Sequence, residues 1–189
     1  MDYYDDIQQS VAVLRNGGTL LYPTDTVWGL GCDATNYQAV DKIYKIKRRV
    51  ESKSLIVLLE NFEHLSTYIR KIPDITFDLL DSIDSPVTVI YSNARNLAPN
   101  VIAKDGTIGI RIVKEQFGAS LISKFGRPIV STSANVSGEP TPAVFRHISD
   151  EIKEQVDYVV KYKQNIFTLS KPSTIIRLHE NGNYNIIRY

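Results

Sequence analysis

The sequence predicts an α/β fold built on a mixed sheet, and three observations point there. At 189 residues with 43% hydrophobic content, the chain can bury one sizeable core, which reads as a single domain over residues 1–189. Short apolar or alternating runs of strand length recur along it, and amphipathic helical patterns separate them. In order, Ile7, Val11 and Leu14 sit at i, i+4 and i+7 of a helix that Gly17-Gly18 stops, and a strand follows at 19–22. Residues 23–34 read as a loop. Asn36 suits the cap of a helix whose Ala39, Val40, Ile43 and Tyr44 form one stripe, ending near Lys47-Arg48-Arg49, where cations complement the helix dipole. Residues 55–59 are a continuous apolar run of the kind buried on both faces, and 87–91 reads as a further strand. Helical patterns fall at about 62–70, 75–83 and 115–125. The segment 107–113 alternates, with Ile108, Ile110 and Ile112 on one face and Thr107, Gly109 and Arg111 on the other. Residues 128–130, 173–178 and 184–189 complete the expected strands.

Charge and cysteine content narrow the function. With 22 basic and 21 acidic residues the net charge is +1, so no global field recruits nucleic acid or a membrane, and any hold on phosphate must be local. One cysteine excludes an internal disulfide, the acidic start is unlike a secretory signal, and no apolar run approaches the length of a membrane-spanning helix, so the protein reads as cytoplasmic. Cys32 reads as a packed residue, and His64, His147 and His179 lack metal-ligand spacing, so no metal bound by protein side chains is expected.

Two segments carry the chemistry. Pro23-Thr24-Asp25-Thr26-Val27-Trp28-Gly29-Leu30-Gly31 combines hydroxyls with glycines that let a backbone approach a small polar ligand. Ser131-Thr132-Ser133-Ala134-Asn135-Val136-Ser137-Gly138 follows a short apolar strand with the small donors that suit an anion, and it lacks the lysine and spacing of a Walker loop. Taken singly, each is more often an ordinary turn.

Together with Lys47-Arg48-Arg49, Lys53, Leu55-Ile56-Val57, Gly109-Ile110-Arg111 and Pro172-Ser173-Thr174, in this order, these segments resemble the YrdC family of threonylcarbamoyl-AMP synthases. The resemblance implies a twisted mixed parallel/antiparallel sheet flanked by helices around a large basic cavity, in the short single-domain form. It implies condensation of L-threonine, bicarbonate or CO2 and ATP, with Mg²⁺ on the ATP, to threonylcarbamoyl-AMP and pyrophosphate. The product would pass to a tRNA-modifying transferase complex, and some relatives are ascribed RNA contacts. It assigns Lys47, Arg49 and Ser133 to catalysis. ATP falls to Lys47, Arg49, Lys53, Thr107, Ser133, Asn135, Thr141 and Arg188. Threonine falls to Thr24, Arg111, Ser131 and Ser173. Val50, Lys53, Ser54 and Leu58 depart from the family pattern; many relatives carry Asn at the place of Lys53 and His at that of Leu58. An RNA-binding or ribosome-assembly module is the alternative reading of the basic cluster, and a serine hydrolase that of Ser131 or Ser133.

Overall fold

The computed structural model describes residues 3–49, 55–166 and 172–189. Helix α1 (Tyr4–Arg15) buries Ile7, Val11 and Leu14, and Gly17, at φ 70°, turns the chain into strand β1 (Thr19–Tyr22). Residues 29–32, expected within a loop, form strand β2 (Gly29–Cys32), antiparallel to β1. The Asn36 side chain accepts from Ala39 N (3.1 Å) and caps α2 (Tyr37–Ile46). Strand β3 (Ile56–Leu59), α3 (Leu65–Tyr68), α4 (Ile75–Asp81), β4 (Val87–Tyr91), β5 (Ile108–Ile112) and α5 (Gln116–Phe125) follow the expected order, with α3 and α4 shorter than their sequence patterns. Strand β6 (Ile129–Ser133) runs on into the first three residues of the serine-rich segment that was expected only to follow it. A helix α6 (Asp150–Gln155), capped by Ser149, and the two-residue strand β7 (Tyr158–Val159) carried no clear sequence signal, and β8 (Thr174–Leu178) and β9 (Tyr184–Arg188) close the sheet.

The nine described strands form one sheet in the order β7-β1-β2-β6-β3-β5-β4-β8-β9. Pairs β1–β7, β3–β5 and β4–β8 are parallel and the others antiparallel, which is the expected mixed class. Each face has its own core. On one, Leu30, Val57, Val89, Ile108 and Ile110 pack with Ala39, Val40 and Ile43 of α2 and Ile152 of α6. On the other, Leu20, Tyr22, Leu58 and Ile129 pack under α1 and α5 through Leu14, Phe117, Leu121 and Ile122. Asp6, buried on α1, accepts from the Tyr158 hydroxyl (2.6 Å) and from the amides of Lys161 and Tyr162, tying that layer to β7.

Candidate functional site

The register of the sheet builds the site. Side chains of directly paired residues share a face. Gly29 pairs with Ser133, Ile56 with Ser131 and with Gly109, Leu58 with Arg111, Ile90 with Gly109, Thr88 with Ile175, and Ile175 with Arg188. Combined with strand alternation, these pairs put Gly29, Ser133, Ser131, Ile56, Arg111, Thr88, Ile175 and Arg188 on one face, the one that α1 and α5 cover farther along. All eight line a cleft of about 270 Å³, together with Thr26, Thr132, Thr141, Ser173 and Arg49. Its walls therefore carry three arginines and seven hydroxyl residues, and no carboxylate among the described lining residues.

Arg111 is the best-fixed of the three. Its guanidinium is 3% exposed, 3.1 Å from Asp25 Oδ1, and its Nη1 donates to Thr26 Oγ1 at 3.3 Å. The single Thr24 hydroxyl hydrogen goes to Val27 O (2.7 Å), so in the contact between the two threonines (3.0 Å) the Thr26 hydroxyl donates to Thr24 Oγ1 while it accepts from Arg111. The loop between β1 and β2 is thus threaded by a one-way chain of hydrogen bonds that starts at Arg111. Burial holds the Asp25 carboxyl above the usual carboxylate range, and Arg111 offsets this only in part. Thr24 faces a second compartment of about 370 Å³ on the far side of this loop, which shares Thr26 and Val27 with the cleft.

Ser173 and Thr88 share a hydrogen bond (2.9 Å) in the cleft wall. The exposed Arg188 donates from Nε (3.3 Å) and Nη2 (2.8 Å) to Ser173 O. Ser131 is buried, and Ser133 and Thr132 are half-buried at the strand end.

The basic segment divides its side chains three ways. Helix α2 ends in a Schellman arrangement: Arg48 N donates to Lys45 O (3.0 Å), Arg49 N donates to Tyr44 O (2.9 Å), and Arg48 adopts φ 48°, a left-handed conformation usually left to glycine. That turn sends Lys47 inward, Arg48 outward to an ion pair with Glu151 of α6, and Arg49 to the cleft, where Nη1 donates to Thr132 Oγ1 at 3.4 Å. Burial lowers the Arg49 pKa from its ordinary value, with Tyr44 opposing.

Besides Thr24, three residues expected at the site, Lys47, Asn135 and Thr107, lie outside the cleft lining. Lys47, expected at the triphosphate, is fully buried and outside the cleft lining; its Nζ donates to Ser133 O (2.6 Å) and Asn135 O (2.7 Å). Burial, seconded by the neighbouring Arg49 charge, lowers its pKa to about 8. Asn135 also braces rather than lines, donating from Nδ2 to Val136 O and Glu139 O. Thr107 shares the Arg111 face as expected but sits at the opposite end of β5, where its hydroxyl donates to Asp105 Oδ1 (2.6 Å), outside the cleft lining. Lys53, Val50 and Ser54 lie outside the described residues. Leu58 is buried in the α1/α5 layer, beside Arg111 in register. The sequence reading missed Thr26, Thr88 and Asp25. Asp25 had a readable signal, a carboxylate in a hydroxyl loop of a chain with a strand-borne arginine. Thr88 had none.

The fold is shared with known proteins. The fold matches E. coli YciO with a TM-score of 0.83 at 26% identity, covering 97% of this chain and 88% of that one. It matches P. abyssi Sua5 complexed with L-threonine, also at 0.83, with 25% identity over 94% of this chain; this chain spans about half of that one, 52%. The profile of the family Sua5_yciO_yrdC, described as "Telomere recombination", matches residues 12–189. The chain belongs to this Sua5/YciO/YrdC family. Curated relatives include a "Threonylcarbamoyl-AMP synthase" of Hahella chejuensis, 39% identical, and one of Pseudoalteromonas translucida, 34% identical, each alignment covering 89% of this chain and 91% of the relative.

Proposed function

We propose that this chain, acting as a single domain, is an L-threonylcarbamoyladenylate synthase, a nucleotidyltransferase. The observation that carries the reading is the cleft itself: three arginines and a hydroxyl wall on one sheet face, in a family whose curated relatives bear that name and whose P. abyssi member is described with L-threonine. The threonine amine and bicarbonate give an N-carboxylate and water. One carboxylate oxygen attacks the α-phosphorus of ATP, the bond to the β-phosphate oxygen breaks, and pyrophosphate leaves. Nothing in this sequence requires a protein nucleophile. It requires three reactants held in line and charge neutralised on the phosphates, which is the work of positioned cations and hydroxyls.

Arg49 and Arg188 serve the phosphates as guanidinium forks, with Ser133, Thr132 and Thr141 along the same wall. Arg111, oriented by Asp25 and Thr26, serves the threonine carboxylate, with Ser131 and Ser173 beside it. Mg²⁺ enters on the ATP phosphates; among the described residues, no three His, Cys, Asp or Glu side chains gather to hold a metal. The product then goes to a transferase that modifies the adenosine beside the anticodon of tRNA, a role that goes with a cytoplasmic location. Among the described residues no helix is long and apolar enough to cross a membrane.

The test is pyrophosphate release from ATP, Mg²⁺ and bicarbonate, with and without L-threonine. Threonine-dependent release, lost in Arg49→Ala, is expected. Release indifferent to threonine, or RNA binding with steep salt dependence and no turnover, would overturn the reading.

A further inference from the structure

We propose that a second cavity, outside the cleft, is a binding site for an organic ammonium ion with an apolar body, anchored on Asp25. The cavity measures about 450 Å³ and lies beyond the C-terminal ends of the parallel neighbours β3 and β5, at the start of β4 and under the end of α4. Crevices beyond the carboxyl ends of parallel strands are where open α/β sheets take their ligands. Leu80, Pro86, Val87, Ile112 and Val113 make its walls, and the exposed Phe62 borders it with its ring against Phe77. A dry cavity of about 150 Å³ already admits a benzene ring, so an aryl group on a short chain fits here. None of these residues lines the cleft, and the assignment does not depend on the synthase reading.

Charge selects the class of ligand. The carboxylates of Asp25, Glu60, Asp81 and Asp84 line the cavity against one ammonium, Lys114, whose Nζ is engaged with Ile83 O at 2.9 Å. Burial separates the four. Asp81 and Asp84 are exposed, where water screens them, and Glu60 pairs with His64 at 2.8 Å. Asp25 is the deep one: its side chain is 10% exposed, and its buried Oδ1 lies 3.1 Å from Arg111 Nη2 but accepts no hydrogen bond among the described residues. A carboxylate can accept several donors, so a buried one with an ion pair and no aligned N–H at that oxygen is under-satisfied. Burial outweighs the Arg111 charge and holds this carboxyl above the usual carboxylate range. An ammonium entering from the cavity supplies the missing donors, while its apolar body takes the place of water against Leu80, Val87 and Ile112. A bare metal ion suits such walls poorly, and no three metal-binding side chains gather among the described residues.

The probes are 2-phenylethylammonium, the neutral 2-phenylethanol of nearly the same shape, and methylammonium, which lacks the apolar body. Each is titrated into the full chain and followed by calorimetry and by amide chemical shifts. 2-Phenylethylammonium is expected to bind with a Kd of about 1 mM or tighter, and about tenfold tighter than 2-phenylethanol, the scale of one charge-assisted hydrogen bond. Methylammonium should bind at least about tenfold more weakly, since it buries no ring. The shifts should centre on Val87, Ile112, Val113 and Lys114. In Asp25→Asn the preference for the amine over the alcohol should fall to about twofold, while Asp81→Asn and Asp84→Asn keep it, because those two carboxylates are exposed. Leu80→Trp, which fills the cavity, should abolish binding of both aryl probes. Equal affinity for amine and alcohol in the wild type, a preference intact in Asp25→Asn, shifts confined to Thr88, Ser131 and Ser173 of the cleft, or amine binding that survives Leu80→Trp would each overturn the proposal. Should Asp25→Asn fail to fold because it leaves Arg111 unpaired, the double variant Asp25→Asn, Arg111→Leu decides by the same ratio. A wild type without threonine-dependent turnover defeats the synthase reading instead, and the probe ratio still judges this site.

Discussion

Replacing Gly31 by alanine is the sharpest available probe of how β2 and β6 come together beside the cleft. A Cβ at this position would lie 2.6 Å from Tyr22 Cε1, 2.8 Å from Val130 O and 3.1 Å from Ile129 Cγ2. Tyr22 is buried and its hydroxyl reaches Val130 O, so the ring has no solvent to swing into, and Val130 O is main chain in the middle of the sheet. Overpacking of this kind costs about 1–3 kcal/mol, and more when backbone must shift. Against it stands the ordinary gain of about 0.5–1 kcal/mol from removing a glycine from a strand. A net loss of about 2 kcal/mol follows, which for a domain of this size lowers Tm by roughly 4–8 °C. Gly29→Ala is the control: its nearest neighbours would be Ser131 Oγ at 3.2 Å and Thr24 Cγ2 at 3.3 Å, both ends of side chains, so its cost should stay below about 1 kcal/mol. Urea unfolding followed by circular dichroism, with an unchanged m value, measures both. Wild-type stability for Gly31→Ala, or a greater loss for Gly29→Ala, would refute the reasoning.

Other perturbations test the electrostatics. Arg111→Leu removes the ion-pair partner of the buried Asp25 and should cost about 3–5 kcal/mol in urea unfolding, with much of it recovered in the double variant Asp25→Asn, Arg111→Leu. Lys47 has a lowered folded pKa, about 8 against 10.5, so above pH 8 the unfolded chain holds a proton that the folded chain has released, and stability rises with pH. The rise attributable to Lys47 should be about 2 kcal/mol between about pH 8 and pH 10, read as the difference between the wild-type and Lys47→Met stability curves, because the raised Cys32 thiol works in the opposite direction near the top of that window. Arg188→Ala removes an exposed side chain and should leave Tm within about 2 °C while raising KM for ATP about tenfold in the pyrophosphate assay; a change in stability alone would remove Arg188 from the site.

Much of this was legible from local rules. The alternation of Thr107, Gly109 and Arg111 against three isoleucines survives intact in β5, and Asn36 caps α2 as its side chain allows. Strand β2 was hidden because Gly-Leu-Gly-Cys has the composition of a turn; it is a strand by its pairing with β1 and β6, and Gly31 is glycine because Tyr22 and Val130 leave no room for a side chain. Thr107 shows that sharing a face fixes direction but not position along the strand. The two carbonyls held by Lys47 lie 86 and 88 residues away, and no spacing in the basic run reports them. Thr88 and Ile175 enter the cleft only through the pairing of β4 with β8, which local pattern does not encode.

The lining of the cleft by successive strands also makes the sheet a ruler. From β2 to β9 there are six steps between neighbours, and at about 4.8 Å each these span roughly 29 Å before twist shortens the path. Any group mounted on this face can be moved toward its neighbour only in increments of one strand, a distance longer than a hydrogen bond. Ligand atoms bridged from Ser133 to Arg111 must therefore match a spacing set by the backbone ladder, and side-chain length alone is left to make the fine adjustment. Exchanging serine for threonine, or arginine for lysine, is thus the scale on which specificity can drift in this fold while the spacing itself stays fixed.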